Sequence, residues 1–225
     1  LMCHAPTALL TGDRRLEQAT TREGVTCDFC HTVADVDLAK RGHPFHLEPG
    51  PVKRGPLEFA KSPAHATAYS PLHRTSPLLC AACHQYTNAQ GVEVISTYSE
   101  WKLSPYPERG ETCQECHMPL VPGWSVAEGY DASRRRINLH RVEGGGSAGR
   151  PATGIGLRFQ SVTLGSPATV EVAVVKRAVG HAAPGGLSSK SLVLAVGVDT
   201  GSGDLRLSRD RVYRRVLQDD GGRDL

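Results

Sequence analysis

Three five-residue blocks of one pattern punctuate this chain of 225 residues: Cys27-Asp28-Phe29-Cys30-His31, Cys80-Ala81-Ala82-Cys83-His84 and Cys113-Gln114-Glu115-Cys116-His117. Two thiols at this spacing, followed at once by an imidazole, reach the two vinyl groups of one porphyrin while the histidine takes the iron from one face. Each block therefore predicts a c-type haem attachment site. Such a site constrains the fold more than any hydrophobic pattern, because the chain must wrap a large apolar plate. Leu1-Met2-Cys3-His4 supplies the last four positions of the same motif, and a cysteine just before Leu1 would complete it. Three pairs plus Cys3 account for all seven cysteines, so three complete sites for haem c and a fourth cut by the start of the chain are expected.

Zinc is the competing explanation, since paired Cys-x-x-Cys knuckles also build structural zinc sites. It explains neither the histidine fixed after every second cysteine nor the odd cysteine at the amino terminus. Disulfides fit less well, because a repeated two-residue spacing gives small redox loops rather than a framework.

Only 39% of residues are hydrophobic and 5% aromatic, which is thin for a side-chain core in a chain of one or two domains. Porphyrins would fill most of the core of the first half. The formal charge of +3 leaves out the propionates, and four haems would add about eight negative charges at neutral pH. A nucleic-acid partner is not indicated. The densest basic run, Arg134-Arg135-Arg136, reads as a solvated face, with a propionate partner as the alternative. No run of eighteen apolar residues occurs, so no transmembrane segment is expected within this chain.

From residue 1 to 142 proline and glycine break the chain into short helical or irregular pieces, as at Pro44, Pro49-Gly50-Pro51, Gly55-Pro56, Pro71, Pro77 and Pro105. Ser76 to His84 and Glu111 to His117 are each expected to form a turn or two of helix. Residues 143–156, which hold Glu143-Gly144-Gly145-Gly146, read as a linker. Over 157–225 the hydrophobic period becomes two. Val170, Val172 and Val174 form one alternating run, and Leu192, Leu194, Val196 and Val198 form a second. Leu157 to Leu164 and Arg211 to Leu217 are further strand candidates, and Asp219-Asp220-Gly221-Gly222 is a turn. The fold class expected is a mainly irregular, short-helical multihaem domain followed by an all-β, immunoglobulin-like sandwich region. About four strands fall short of the usual seven, so the β region is expected to be incomplete.

Each iron has a second axial position. Met2 lies inside a block and Met118 follows His117 directly, so neither easily reaches the far face of its own haem. Ten histidines less the four proximal ones, His4, His31, His84 and His117, leave His43, His46, His65, His73, His140 and His181. That supply allows imidazole on both faces of every haem, which closes the iron to substrate and favours a lower potential than Met/His ligation.

At this point the residues resemble a known group, the multihaem c-type cytochromes of the cytochrome c-554 and hydroxylamine oxidoreductase class. Among them the chain looks most like secreted tetrahaem and pentahaem proteins with a β-sandwich after the haem domain. The resemblance runs through Gly24 to His31, Ser62-Pro63-Ala64-His65, Tyr69 to His73, Glu100-Trp101, Ser104-Pro105-Tyr106 and Gly110 to Pro119. It continues in His140 and in Gly180-His181-Ala182-Ala183-Pro184-Gly185-Gly186. It implies distal ligation by His65, His73, His140 and His181, with His43 and His46 in reserve. Gly185 stands where threonine is frequent in that group. Trp101, Tyr98 and Tyr106 are candidates for stacking near porphyrins, with packing the more ordinary role.

These readings together predict an electron carrier of the periplasm or cell exterior. It would hop electrons between low-spin bis-histidine haems, with redox proteins or other copies of itself as partners, the latter as a polymeric conduit. The alternative is a haem enzyme acting on a small nitrogen or sulfur oxyanion at one five-coordinate iron. No Cys-x-x-Cys-Lys block is present to support it. A third class, a binding module with structural metals, is disfavoured by three covalent sites.

Overall fold

The structure, a computed structural model, describes residues 2–40, 42–124, 134–142, 147, 153–199, 201, 205–219 and 221–224. Most of the expected linker, 143–146 and 148–152, lies outside them. The chain divides into two compact units, Leu1–Tyr86 with Tyr106–Val142, and Thr87–Pro105 with Glu143–Leu225.

In the first unit the elements run α1 (Thr7–Thr11), α2 (Ala19–Arg22), α3 (Cys27–Thr32), β1 (Val33–Val36), β2 (Phe45–Leu47), β3 (Val52–Gly55), β4 (Ala66–Tyr69), α4 (Pro71–Arg74) and α5 (Leu78–His84). Strand β5 (Tyr86–Thr87) lies at the boundary of the units, and β6 (Glu93–Ile95) and helix α6 (Thr97–Lys102) belong to the second unit. A 3-10 turn at Pro107–Arg109 then leads to α7 (Cys113–His117), β7 (Leu120–Trp124) and β8 (Arg134–Asn138). The two helices expected around the second and third blocks are therefore formed, each about two residues shorter at its start. What the periodicity does not announce is the short strand pairs among them. Strands of two to five residues are too brief to show a period of two.

Side-chain packing in this unit centres on Phe29, Val33, Val36, Phe45, Leu72 and Ala82, with Met2, Leu38, Leu47, Leu78, Leu79 and Cys83 against them. Phe29 and Ala82 are block residues. Phe29 meets Phe45 edge to face at 5.1 Å between ring centroids, so the first attachment helix is itself a wall of the core.

In the second unit β9 (Ile155–Thr163) pairs antiparallel with β10 (Thr169–Lys176), and β11 (Ser191–Asp199) with β12 (Leu205–Arg214). Each ladder carries one register shift, between Glu171 and Val172 in the first and between Val196 and Gly197 in the second. The four strands match the four expected segments, but β12 begins at Leu205 rather than Arg211. Its opening residues alternate with arginines that conceal the apolar rhythm. The carboxyl-terminal turn forms as the sequence requires: Asp219 Oδ1 accepts from the amides of Gly221 and Arg223, and Gln218 bridges to Asp224. Among the described residues every sheet is two-stranded.

Candidate cofactor site

All three Cys-x-x-Cys-His blocks are helical, and each histidine stands at or next to the end of its helix. Local chemistry explains the starts. Thr26 caps α3 by accepting from the Phe29 amide, and the Glu115 carboxylate reaches back to the Thr112 amide at 2.7 Å. All seven cysteines are free of disulfides.

Helix α3 rests on β3. Asp28 pairs with Lys53, and Arg54, itself paired with Glu48, offers its carbonyl to His31 Nδ1. A nitrogen facing a carbonyl must carry the proton, which leaves the lone pair of His31 on Nε2. Metal-ligating imidazoles are fixed in this way by a partner on the other ring nitrogen.

The parallel pairing of β3 with β4 then delivers a second histidine. Ser70 continues β4 and donates its amide to Gly55, so α4 starts beside α3 and places His73 against His31, with ring centroids 5.6 Å apart and planes within 13°. His73 is buried. Its Nδ1 lies 2.9 Å from Ser70 Oγ and its Nε2 2.8 Å from the Cys30 carbonyl. Burial, the larger effect, holds its pKa below the usual histidine value against the opposing bond to Cys30.

A third imidazole arrives from the far side of the sequence. Strand β8 pairs with β7, and Asn138 donates its side-chain amide to the Met118 carbonyl at 2.8 Å, directly after the third block. His140, two residues on, has its Nδ1 2.8 Å from the Asn138 carbonyl and its ring centroid 6.1 Å from that of His31. His31, His73 and His140 thus come together from positions spread over more than 100 residues of chain.

The remaining blocks also converge. The Cys80 and Cys113 thiols hydrogen-bond each other, which raises Cys80 and lowers Cys113. The Cys3 thiol, bonded to Cys83, falls to about 7, and Cys83 is raised by the same bond. Cys30 is raised chiefly by burial. Gln114, buried in the third block, ties α7 to the turn before α5 by donating to the Ser76 carbonyl at 2.7 Å. His4 and His84 are exposed and His117 is half-buried.

Of the other expected ligands, His65 is exposed with Nδ1 3.0 Å from the Ala66 carbonyl. His181 lies in the second unit with Nδ1 2.8 Å from the Ala182 carbonyl. The reserves His43 and His46 are exposed, and Met2 packs on the core. Tyr98 and Trp101 stack at 5.9 Å, and Arg109 lies over the Tyr106 ring. Of the basic run, only the Arg136 side chain falls within the described residues; it donates to the Leu120 carbonyl. Residues without a sequence signal matter here. The Arg54 carbonyl is a main-chain group, and Ser70, Gln114 and Asn138 act through contacts 38 or more residues away, or across a ladder.

The donors fit a covalently held haem: free thiol pairs on one helical turn, each followed by an imidazole, with His31 in the tautomer a metal needs.

No family model and no curated protein matches this chain. Among solved structures it is similar in fold to the penta-heme cytochrome c552 from Thermochromatium tepidum, with a TM-score of 0.72 and 20% sequence identity. The match covers 100% of this chain and 65% of that one, so the chain spans about two thirds of that cytochrome's length.

Proposed function

We propose that this chain belongs to a multihaem c-type cytochrome that carries electrons between redox partners. The observation that carries the reading is the meeting of His31, at the end of an attachment helix and with Nδ1 committed to a carbonyl, with His73 and His140. One imidazole of a block set among others from elsewhere in the chain is a supply of nitrogen donors, of which His73, its Nε2 proton facing the Cys30 carbonyl, would ligate on exchanging that bond for a metal. The fold shared with a penta-heme cytochrome supports it.

In this reading Cys27 and Cys30, Cys80 and Cys83, Cys113 and Cys116, and Cys3, hold haem c. His4, His31, His84 and His117 are proximal ligands, and His65, His73, His140 and His181 distal. Bound haem supplies reversible one-electron chemistry at potentials tuned by axial ligands, hydrogen bonds and burial. The chain supplies position: Arg54 orients His31, Asn138 anchors the segment that bears His140, and Gln114 fixes the third block against the second. The compartment is periplasmic or extracellular, where c-type attachment is completed. Among the described residues no helix is long and apolar enough to cross a membrane. The partners are redox proteins or further copies of the chain, the latter as a polymeric conduit, and the two β ladders are part of a sandwich.

The test is a quantified low-temperature EPR spectrum of the oxidised protein with its total iron and intact mass. Low-spin signals accounting for all iron, at three haems per chain for the complete blocks, are expected. A stoichiometric high-spin signal would replace the carrier with an enzyme working at an open iron. Absence of haem iron would refute both.

A further inference from the structure

The loop Gly180–Gly186 is held by a residue far from it in sequence. The Ala182 amide donates to Glu100 Oε2 at 2.9 Å. The other carboxylate oxygen of Glu100 accepts from Ser96 Oγ at 2.6 Å and lies 3.6 Å from the Arg215 guanidinium. Arg215 also donates to Ser96 Oγ and, at 2.9 Å, to the Glu93 carbonyl. Ser96 is buried, so these bonds are partly shielded from water. Lys176 Nζ adds a bond to the His181 carbonyl at 3.2 Å. Hence the peptide group that follows the His181 Cα is held at both ends, by Lys176 at its carbonyl and by Glu100 at its amide.

The imidazole is fixed as well. Its Nδ1 faces the Ala182 carbonyl at 2.8 Å and so carries the proton, which puts the lone pair on Nε2. A Cβ at Gly185 would come to 3.0 Å from both the Ala182 oxygen and His181 Nδ1, and to 3.3 Å from Cε1. A side chain there would push the ring from its seat. Glycine at 185 is therefore matched to this placement of the ring.

We propose that Glu100, braced by Ser96 and Arg215, is the positioning residue for His181, and that Gly185 is the space its ring needs. Helix α6 thereby sets the placement of one axial imidazole through a carboxylate that never touches the ligand. The inference rests on His181 being a distal ligand.

The experiment uses the full haem-loaded chain. His181→Ala identifies the haem, if any, that loses a ligand by EPR. Glu100→Ala, Glu100→Gln and Gly185→Ala are then read by EPR, by potentiometric titration and by hydrogen exchange of the 180–186 peptide. Glu100→Ala removes a charge-assisted bond, so the Ala182 amide is expected to exchange about tenfold faster or more. The same variant is expected to alter the signal and potential of the haem that His181→Ala identifies, with the other haems unchanged. Glu100→Gln, which keeps an acceptor, restores part of the effect, and Gly185→Ala moves the same signal. If His181→Ala changes one haem while Glu100→Ala and Gly185→Ala leave it as in the parent, the positioning role is refuted and the ligand stands. If His181→Ala changes no haem, the ligand assignment fails and the positioning role with it. Equal disturbance of every haem by Glu100→Ala also overturns the proposal. Should Glu100→Ala not fold, Glu100→Gln and Gly185→Ala carry the test.

Discussion

Phe29 sits between the two cysteines of the first block, at a place where the attachment motif tolerates any residue, yet it is only 5% exposed and packs against Phe45 at 5.1 Å. Replacing it with alanine leaves a cavity in a cluster that contains few other large side chains. A buried Phe→Ala costs about 3–5 kcal/mol, and loss of an edge-to-face pair about 0.5–1.5 kcal/mol. We expect about 4 kcal/mol in all, a large share of the 5–15 kcal/mol available to a typical domain. Asp28, its neighbour in the same block, is the control. Its carboxylate is 70% exposed and paired only with Lys53, so Asp28→Ala is expected to cost under about 1 kcal/mol. Guanidinium unfolding followed by far-UV circular dichroism gives both values, with iron per chain confirming equal haem loading. If Phe29→Ala loses under about 1 kcal/mol at full loading, the first block does not build the side-chain core and the packing argument fails.

Gln114→Ala removes the bond to the half-buried Ser76 and leaves its carbonyl without that donor. A loss of about 1–3 kcal/mol is expected in the same unfolding assay. Gly24 has φ +83° and would bring a Cβ to 3.3 Å from the His4 carbonyl, so Gly24→Ala should cost about 1–2 kcal/mol in melting experiments. The Asp13 carboxyl is held below its ordinary value first by the Thr21 hydroxyl and then by the Gln18 and Glu17 amides. A depressed carboxyl favours the folded state above the unfolded value of 3.8 and loses that contribution as pH falls through the folded value. Asp13→Asn should therefore narrow the stability difference between pH 5 and pH 3, and an unchanged difference would contradict the network.

The attachment helices were legible because the motif fixes both chemistry and place, and the β region because valines and leucines alternate over runs of five and seven residues. The meeting of His31, His73 and His140 was not. It depends on a parallel pairing of β3 with β4 and on β7 with β8, ladders of four and five residues whose partners no local pattern names. Orientation of His31 by the Arg54 carbonyl leaves no trace in residue identity, since any side chain at 54 brings the same acceptor. Glu100 belonged to a segment that resembled a family, but its bond to Ala182 spans 82 positions.

The attachment helices are six, seven and five residues long. Helices of that length are scarcely populated in an isolated chain, because one or two turns do not offset the cost of nucleation. Before it folds, the chain therefore carries its cysteine pairs on open backbone, and the interiors of the blocks close only as Phe29, Ala82 and Gln114 are buried by tertiary packing.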